Sequence, residues 1–196
     1  MAADKIQAIL QSRAARSLTG EQFKPAAVLV PIQERGDGEY LVLTQRAAML
    51  NSHSGQVAFP GGRIDRRDAG PLAAALRESQ EEIGIEPGHV RVLGQLDQVT
   101  AASNYLVTPF VGLVPYPYEF RLNLSETAAV FSVPVFALLE PGCFKVEPRF
   151  FPSNRRDPIC HFYYQDWDIW GATARIIMQL LELAYGFDPG TVKYPG

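Results

Sequence analysis

The chain has 196 residues, 47% of them apolar and 20% charged, a balance that supports a real core and excludes a disordered chain. A formal net charge of −3 lacks the basic excess of a general nucleic-acid binder, so no nucleic-acid partner is expected. No apolar run approaches the roughly 18–20 residues that span a bilayer, and two cysteines, Cys143 and Cys160, are too few for a disulfide scaffold; the expected setting is a reducing cytoplasm without membrane attachment.

In chain order, a short amphipathic helix is predicted over residues 4–16, with Ile6, Ile9 and Leu10 on one face. Arg13 and Arg16, with little acid around them, leave a transit peptide open as an alternative. Residues 26–32 (AAVLVPI) read as a buried strand, Glu34-Arg35-Gly36-Asp37-Gly38 as a turn, and residues 40–44 as the returning strand of a hairpin. A short strand at 57–59 ends at Pro60-Gly61-Gly62, and a helix follows over 71–83. Pro71 suits its first turn, where a missing N–H goes unnoticed, and Gly84 suits a cap that needs positive φ. Further strands are predicted at 90–96, 105–114 and 144–151, with a short helix at 134–139. The aromatic segment HFYYQDWDIW reads as strand and leads into a closing helix over 172–185. No repeat appears, and the mixture predicts one α/β domain over 1–196: a mixed sheet covered by helices.

The most informative stretch runs from Gly61-Gly62 through Arg77-Glu78-Ser79-Gln80-Glu81-Glu82-Ile83-Gly84-Ile85. On a helix with Glu78 at zero, Glu82 lies at roughly +40° and Glu81 at roughly −60°. Leu72, Leu76 and Ile83 fall at roughly +120° to +160°. The helix can thus pack on a sheet while its acids point sideways into a cleft. Crowded carboxylates repel each other, and Arg77 offsets only part of that. A hard divalent cation such as magnesium prefers oxygen ligands and keeps places for phosphate oxygens. The glycine pair allows a sharp turn that brings a backbone carbonyl close to a ligand. Taken alone, the acids would be a solvated face with one weak Arg77–Glu81 pair; the glycines, the strand before them and Gly84 argue otherwise.

This arrangement resembles the Nudix box, G-x5-E-x7-R-E-U-x-E-E-x-G-U, where U is a large aliphatic residue. Gly62 supplies the first glycine, and Arg77-Glu78, Glu81-Glu82, Gly84 and Ile85 match the second half. Two departures stand out. Ser79 occupies an apolar position, and the first acid is Asp68, separated from Arg77 by eight residues instead of seven. Upstream, Leu43-Thr44-Gln45-Arg46-Ala47 leads through Gly55 to Phe59-Pro60-Gly61-Gly62. This is similar to the motif of the coenzyme A pyrophosphatase branch, L-L-T-x-R-[SA]-x3-R-x3-G-x3-F-P-G-G. Asn51 stands where that motif has its second arginine, and offers a donor without charge. Ile169-Trp170-Gly171-Ala172-Thr173-Ala174-Arg175 also looks like the end of this branch.

The resemblance implies an α/β/α sandwich with a mixed sheet, the box forming loop-helix-loop over about 61–85. It implies hydrolysis of the diphosphate linkage in coenzyme A or acyl-coenzyme A, with Mg2+ or Mn2+ as cofactor and a small nucleotide as partner. Alternatives are another nucleoside diphosphate derivative (ADP-ribose, a dinucleoside polyphosphate, an oxidised nucleotide) or a non-catalytic nucleotide-binding domain. On this reading Glu78 and Glu82 bind metal, Glu81 shares a second ion or a bound water, and the Gly61 carbonyl completes the site. Arg77 orients the acids and Arg46 contacts phosphate. Asn51, His53, Gly55, Phe59 and Gly62 are expected at the substrate. The general base lies in the box or on a later loop, where Glu126 is the candidate; its other reading is a turn start beside Ser125. His89 and His161 show no metal-ligand spacing. Phe162, Tyr163, Tyr164, Trp167 and Trp170 read as core, with an adenine-stacking surface or a homodimer face as alternatives.

Overall fold

The apolar run at 26–32 becomes the middle of a sheet covered on both faces. The computed structural model describes residues 2–18, 22–47, 55–102, 104–150 and 156–190. Its first half comprises α1 (Ala2–Gln11), β1 (Lys24–Arg35), β2 (Gly38–Arg46), β3 (Val57–Ala58), β4 (Gly61–Arg63), α2 (Pro71–Ile83), β5 (Arg91–Gln95) and β6 (Val99–Ala101). Its second half comprises β7 (Tyr105–Leu113), β8 (Thr127–Pro134), α3 (Val135–Leu138), β9 (Phe144–Phe150), β10 (Arg156–Tyr164), β11 (Trp167–Trp170) and α4 (Gly171–Tyr185).

The main sheet runs β3-β2-β1-β7-β5, with β4 on β1, β6 on β7 and β8 on β2. The β1–β7 pair is parallel and the other pairs are antiparallel, so the sheet is mixed. Alternate residues of β1 face opposite ways. Ala27 packs with Ala74 and Ala75 of α2, and Leu29 with Ile83. Ala26, Val30 and Ile32 join the larger core that includes Ile6 and Leu10 of α1 and Ile176 and Leu180 of α4. Burial on both faces is why β1 reads as a continuous apolar run. The result is an α/β/α sandwich. A second sheet, β9-β10-β11, adds Phe162 and Ile169 to the core on the α4 side.

The main sheet forks where the cleft will lie. β1 bonds to β2 only over 32–35 against 38–41. Nearer the cleft, β1 pairs with β4 (Ala26 opposite Arg63) and β2 pairs with β3 (Thr44 opposite Ala58). Residues 57–63 therefore cross the gap between two strands that have parted, and Leu29 N–H donates to the Pro60 carbonyl at 2.9 Å.

Several predicted boundaries move. The first helix ends at Gln11, not 16, because the Ser12 hydroxyl donates to the Ile9 carbonyl at 2.9 Å and the chain then leaves to bind another segment. Arg13 pairs with Asp97, and Arg16 N–H donates to Asp97 Oδ1 at 2.7 Å. The helix expected over 172–185 starts one residue earlier, at Gly171. β4 and β6 were not foreseen. Among the described residues no helix is long and apolar enough to cross a membrane. Neither Cys143 nor Cys160 forms a disulfide.

Candidate active site

Two glycines set the geometry. Gly61 has φ 151°, and a Cβ there would lie 2.4 Å from the Ala27 carbonyl oxygen and 2.6 Å from Val28 Cα. A Cβ on Gly62 would lie 2.5 Å from the Glu78 carboxyl carbon. The first glycine lets β4 lie against β1; the second leaves room that a carboxylate fills.

α2 carries the acids and is anchored at its end. Gly84 is left-handed at φ 74°, its N–H donates to Gln80 O at 3.0 Å, and Ile85 N–H donates to Ser79 O at 3.3 Å. Ser79, at the apolar position, is fully buried and donates its hydroxyl to Ala75 O at 2.7 Å, so its polarity is satisfied.

Glu82 is only 4% exposed. One of its oxygens accepts Gly61 N–H at 3.1 Å, and the other lies 3.7 Å from Arg46 Nη1. Burial pushes its carboxyl up to about 7, against the pull of Gly61 and Arg46 and with the help of Glu78 and Glu126. Burial also raises Glu78, opposed first by the Arg77 guanidinium at 2.8 Å.

Arg77 is the hub of the acids. It forks onto Asp68 (Nε to Oδ1 2.9 Å, Nη2 to Oδ2 3.0 Å), and its Nη1 also reaches Glu81 at 3.0 Å. Asp68 closes a turn on itself: its N–H donates to Asp65 O at 3.1 Å and its Oδ2 accepts Asp65 N–H at 2.7 Å. The Arg77 guanidinium holds the Asp68 carboxyl below the usual carboxylate range. Sequence reasoning noted Asp68 as a departure but missed it as the partner that fixes Arg77.

Glu126 reaches the same place from a remote turn. Its N–H donates to Asn123 O at 2.9 Å, and its own carbonyl accepts Ala47 N–H at 2.8 Å, next to Arg46. Asn123, not Ser125, organises this turn: its Oδ1 accepts the Ser125 hydroxyl at 2.6 Å.

A cavity of about 460 Å³ joins these parts at the fork. Arg46, Phe59, Gly61, Gly62, Glu78, Glu82 and Glu126 line it, as does Arg63. Three expected residues are not on the lining, the first being Arg77, which stands behind Glu78. Glu81, with a side chain 56% exposed, turns away to Arg77. Gly55 serves a turn at φ 71°, donating its N–H to Arg46 O at 3.2 Å. Asn51 and His53 lie outside the described residues. The opposite wall, with Ala101, Tyr105, Trp170, Ala172, Thr173 and Ile176, was not foreseen as a unit; its signals in the sequence are the Ile169-to-Arg175 resemblance and the adenine-stacking alternative for Trp170.

Glu78 and Glu82 are the two cleft carboxylates that could hold a cation. Among the described residues no three His, Cys, Asp or Glu side chains gather tightly enough to enclose an ion by themselves. Two half-buried to buried carboxylates, both pushed up by burial and Glu82 further by Glu78, do suit a hard divalent ion, which completes its shell with water and phosphate oxygens.

Comparison with known proteins bears on the same segment. The family model described as NUDIX domain matches residues 23–141. An uncharacterized Nudix hydrolase, NudL, of Escherichia coli K12 is 41% identical over 171 residues, covering 85% of each chain. The NudL of Cronobacter sakazakii, also described as uncharacterized, is 42% identical over 162 residues, covering 80% of this chain and 81% of its own. Among solved structures, the Nudix hydrolase RenU of M. smegmatis superposes with a TM-score of 0.51 at 21% identity over 65% of this chain and 85% of its own, a likeness of fold. With the acids of α2, the glycine pair and these relatives in agreement, the chain belongs to the Nudix family and is a Nudix hydrolase.

Proposed function

We propose that the chain hydrolyses the diphosphate bond of coenzyme A or an acyl-coenzyme A, giving adenosine 3′,5′-bisphosphate and 4′-phosphopantetheine or its acyl derivative. The observation that carries this reading is a coincidence of two motifs in one cleft. Arg46, Phe59, Gly61 and Gly62, spaced as in the coenzyme A pyrophosphatase branch, line the cavity that also holds Glu78, Glu82 and Glu126.

The chemistry is a displacement at phosphorus. A water oxygen bonds to one phosphorus, the bridging P–O bond breaks, and the bridging oxygen leaves with the other phosphate. Glu78 and Glu82 hold Mg2+ or Mn2+, which when bound neutralises phosphate charge and lowers the pKa of a water. Arg46, 3.7 Å from Glu82, presents its guanidinium to the diphosphate. Arg77 keeps Glu78 in place from behind. Glu126 takes the proton of the attacking water: it lines the cleft, and its backbone is tied to the segment that carries Arg46. Positioning and charge stabilisation do most of the work in such a reaction.

A substrate panel tests this. The purified chain is assayed with magnesium and with manganese on coenzyme A, butyryl-coenzyme A, ADP-ribose, a dinucleoside polyphosphate and an oxidised nucleotide, with products separated by chromatography. Adenosine 3′,5′-bisphosphate from the first two is the expected result. Turnover of the others with none of coenzyme A or its thioester would move the enzyme out of this branch. A panel with no metal-dependent turnover at all would leave the binding-domain alternative.

A further inference from the structure

Among the described residues the cleft carries charge on one wall only. The ionised side chains among them that line it come from β2, β4, α2 and the turn before β8. The facing wall, built by β6, β7 and the β11–α4 junction, presents Ala101, Tyr105, Trp170, Ala172, Thr173 and Ile176. Its polar atoms are few. The Thr173 hydroxyl donates to Val57 O at 3.2 Å, and Tyr105 and Trp170 supply the others. Arg175, next along α4, is turned to Thr100 O at 3.2 Å.

Such a wall favours one kind of group. A nucleobase buried against it would give up hydrogen bonds to water that aliphatic side chains cannot return. An aliphatic chain loses none and gains from burial. We propose that this wall is the specificity surface of the enzyme. It takes the uncharged chain on the far phosphate, the free or acylated pantetheine arm, with its methylenes and acyl group against Ala101, Ala172 and Ile176. The proposal rests on the diphosphate-cleaving reading above and adds which wall selects the substrate and by what chemistry.

Trp170 offers a readout independent of turnover. The chain has two tryptophans. The other, Trp167, stacks on Phe131 at 4.1 Å and does not line the cleft, so Trp167→Phe leaves Trp170 as the sole emitter. The metal-free W167F protein is titrated with pantetheine, butyryl-pantetheine and adenosine 3′,5′-bisphosphate. A saturable change in emission is expected with the first two, stronger with the butyryl form, and none with the bisphosphate. In parallel, Ala101→Phe narrows the wall and is expected to raise KM for butyryl-coenzyme A about tenfold with kcat little changed. A response to the bisphosphate and none to pantetheine would overturn the proposal and make the wall a base-stacking platform. An unmoved KM in a folded A101F protein would also overturn it; if that variant fails to fold, the titration decides. The two readings fail separately. Pantetheine binding without coenzyme A hydrolysis leaves the wall and removes the reaction. Hydrolysis without a Trp170 response to pantetheine leaves the reaction and removes the wall.

Discussion

Two helices flank the cleft, and they are built to opposite specifications. α2 turns Glu82 and Ser79 inward along with Ala74, Ala75 and Ile83, so a carboxylate sits in its buried face. α4 buries Ile176, Ile177, Met178, Leu180 and Leu181 and no charged side chain. One helix gives up stability to hold charge where water is scarce. The other supplies ordinary core packing and an apolar lining at its first turn. Substitutions in α2 should therefore cost activity more than stability, and those in α4 the reverse.

Glu82→Gln presses hardest on this contrast. Loss of one buried carboxylate from the cation-holding pair should reduce metal-dependent turnover by about 10³-fold. The same change should stabilise the metal-free protein. A carboxyl raised to about 7 holds its proton more tightly in the folded than in the unfolded chain. Ionising it therefore erodes stability as pH climbs from its ordinary range to about 7, and the loss persists above that. Thermal melts in chelator should show E82Q ahead of the parent by about 2 kcal/mol at pH 8 and by little at pH 5. A less stable E82Q at pH 8 would break the comparison. For the parent, magnesium affinity should rise as pH climbs toward about 7, since the ion must displace the proton that burial holds on Glu82.

Leu181→Ala makes the opposite test on α4. Leu181 is fully buried, and its truncation should destabilise the fold by about 3 kcal/mol. Well below the melting temperature, kcat should stay within a factor of about three. Gly62→Ala lies between the two. Its new methyl would sit 2.5 Å from the Glu78 carboxyl carbon, so the carboxylate must move. Turnover should fall by about 10–100-fold while stability drops by about 1 kcal/mol. Steady-state assays paired with denaturant titration separate those effects. Gly84→Ala should have the smallest effect, a loss of about 1 kcal/mol from the left-handed cap and from a contact 3.0 Å away at Arg121 Cβ. Chemical denaturation resolves that difference.

The same contrast marks what could be read from the sequence. α2 was legible to the residue because its signals are local: Pro71 opens it, Gly84 closes it, and the acid and apolar stripes follow the helical period. β1 was legible as an apolar run, but its neighbours were not. Its parallel partner β7 begins about eighty residues later, and nothing in either strand names the other. β4 escaped because Gly61, Gly62 and Arg63 carry no strand pattern; they pair because β1 has parted from β2. Within the site, Arg46, Gly61, Gly62, Phe59, Glu78, Glu82 and Glu126 meet in one cleft. Glu81 shares the helical stripe but leaves the cleft, since Arg77 draws it outward. Helical angle alone cannot tell which acid a neighbouring guanidinium will capture. Trp170 read as core, with adenine stacking or a homodimer face as alternatives, and only the folded chain brings it opposite the acids.

The turn that Asp68 closes has a wider consequence. Asp68, shorter by one methylene than the glutamate of the Nudix box pattern, grips Arg77 with both oxygens from a loop one residue longer than that pattern. Reach has been moved from the side chain into the main chain. Neither change should be neutral alone: the longer acid should overshoot Arg77, and deleting the residue should undershoot it. Grafting between relatives with different loops should therefore transplant the pair as a unit.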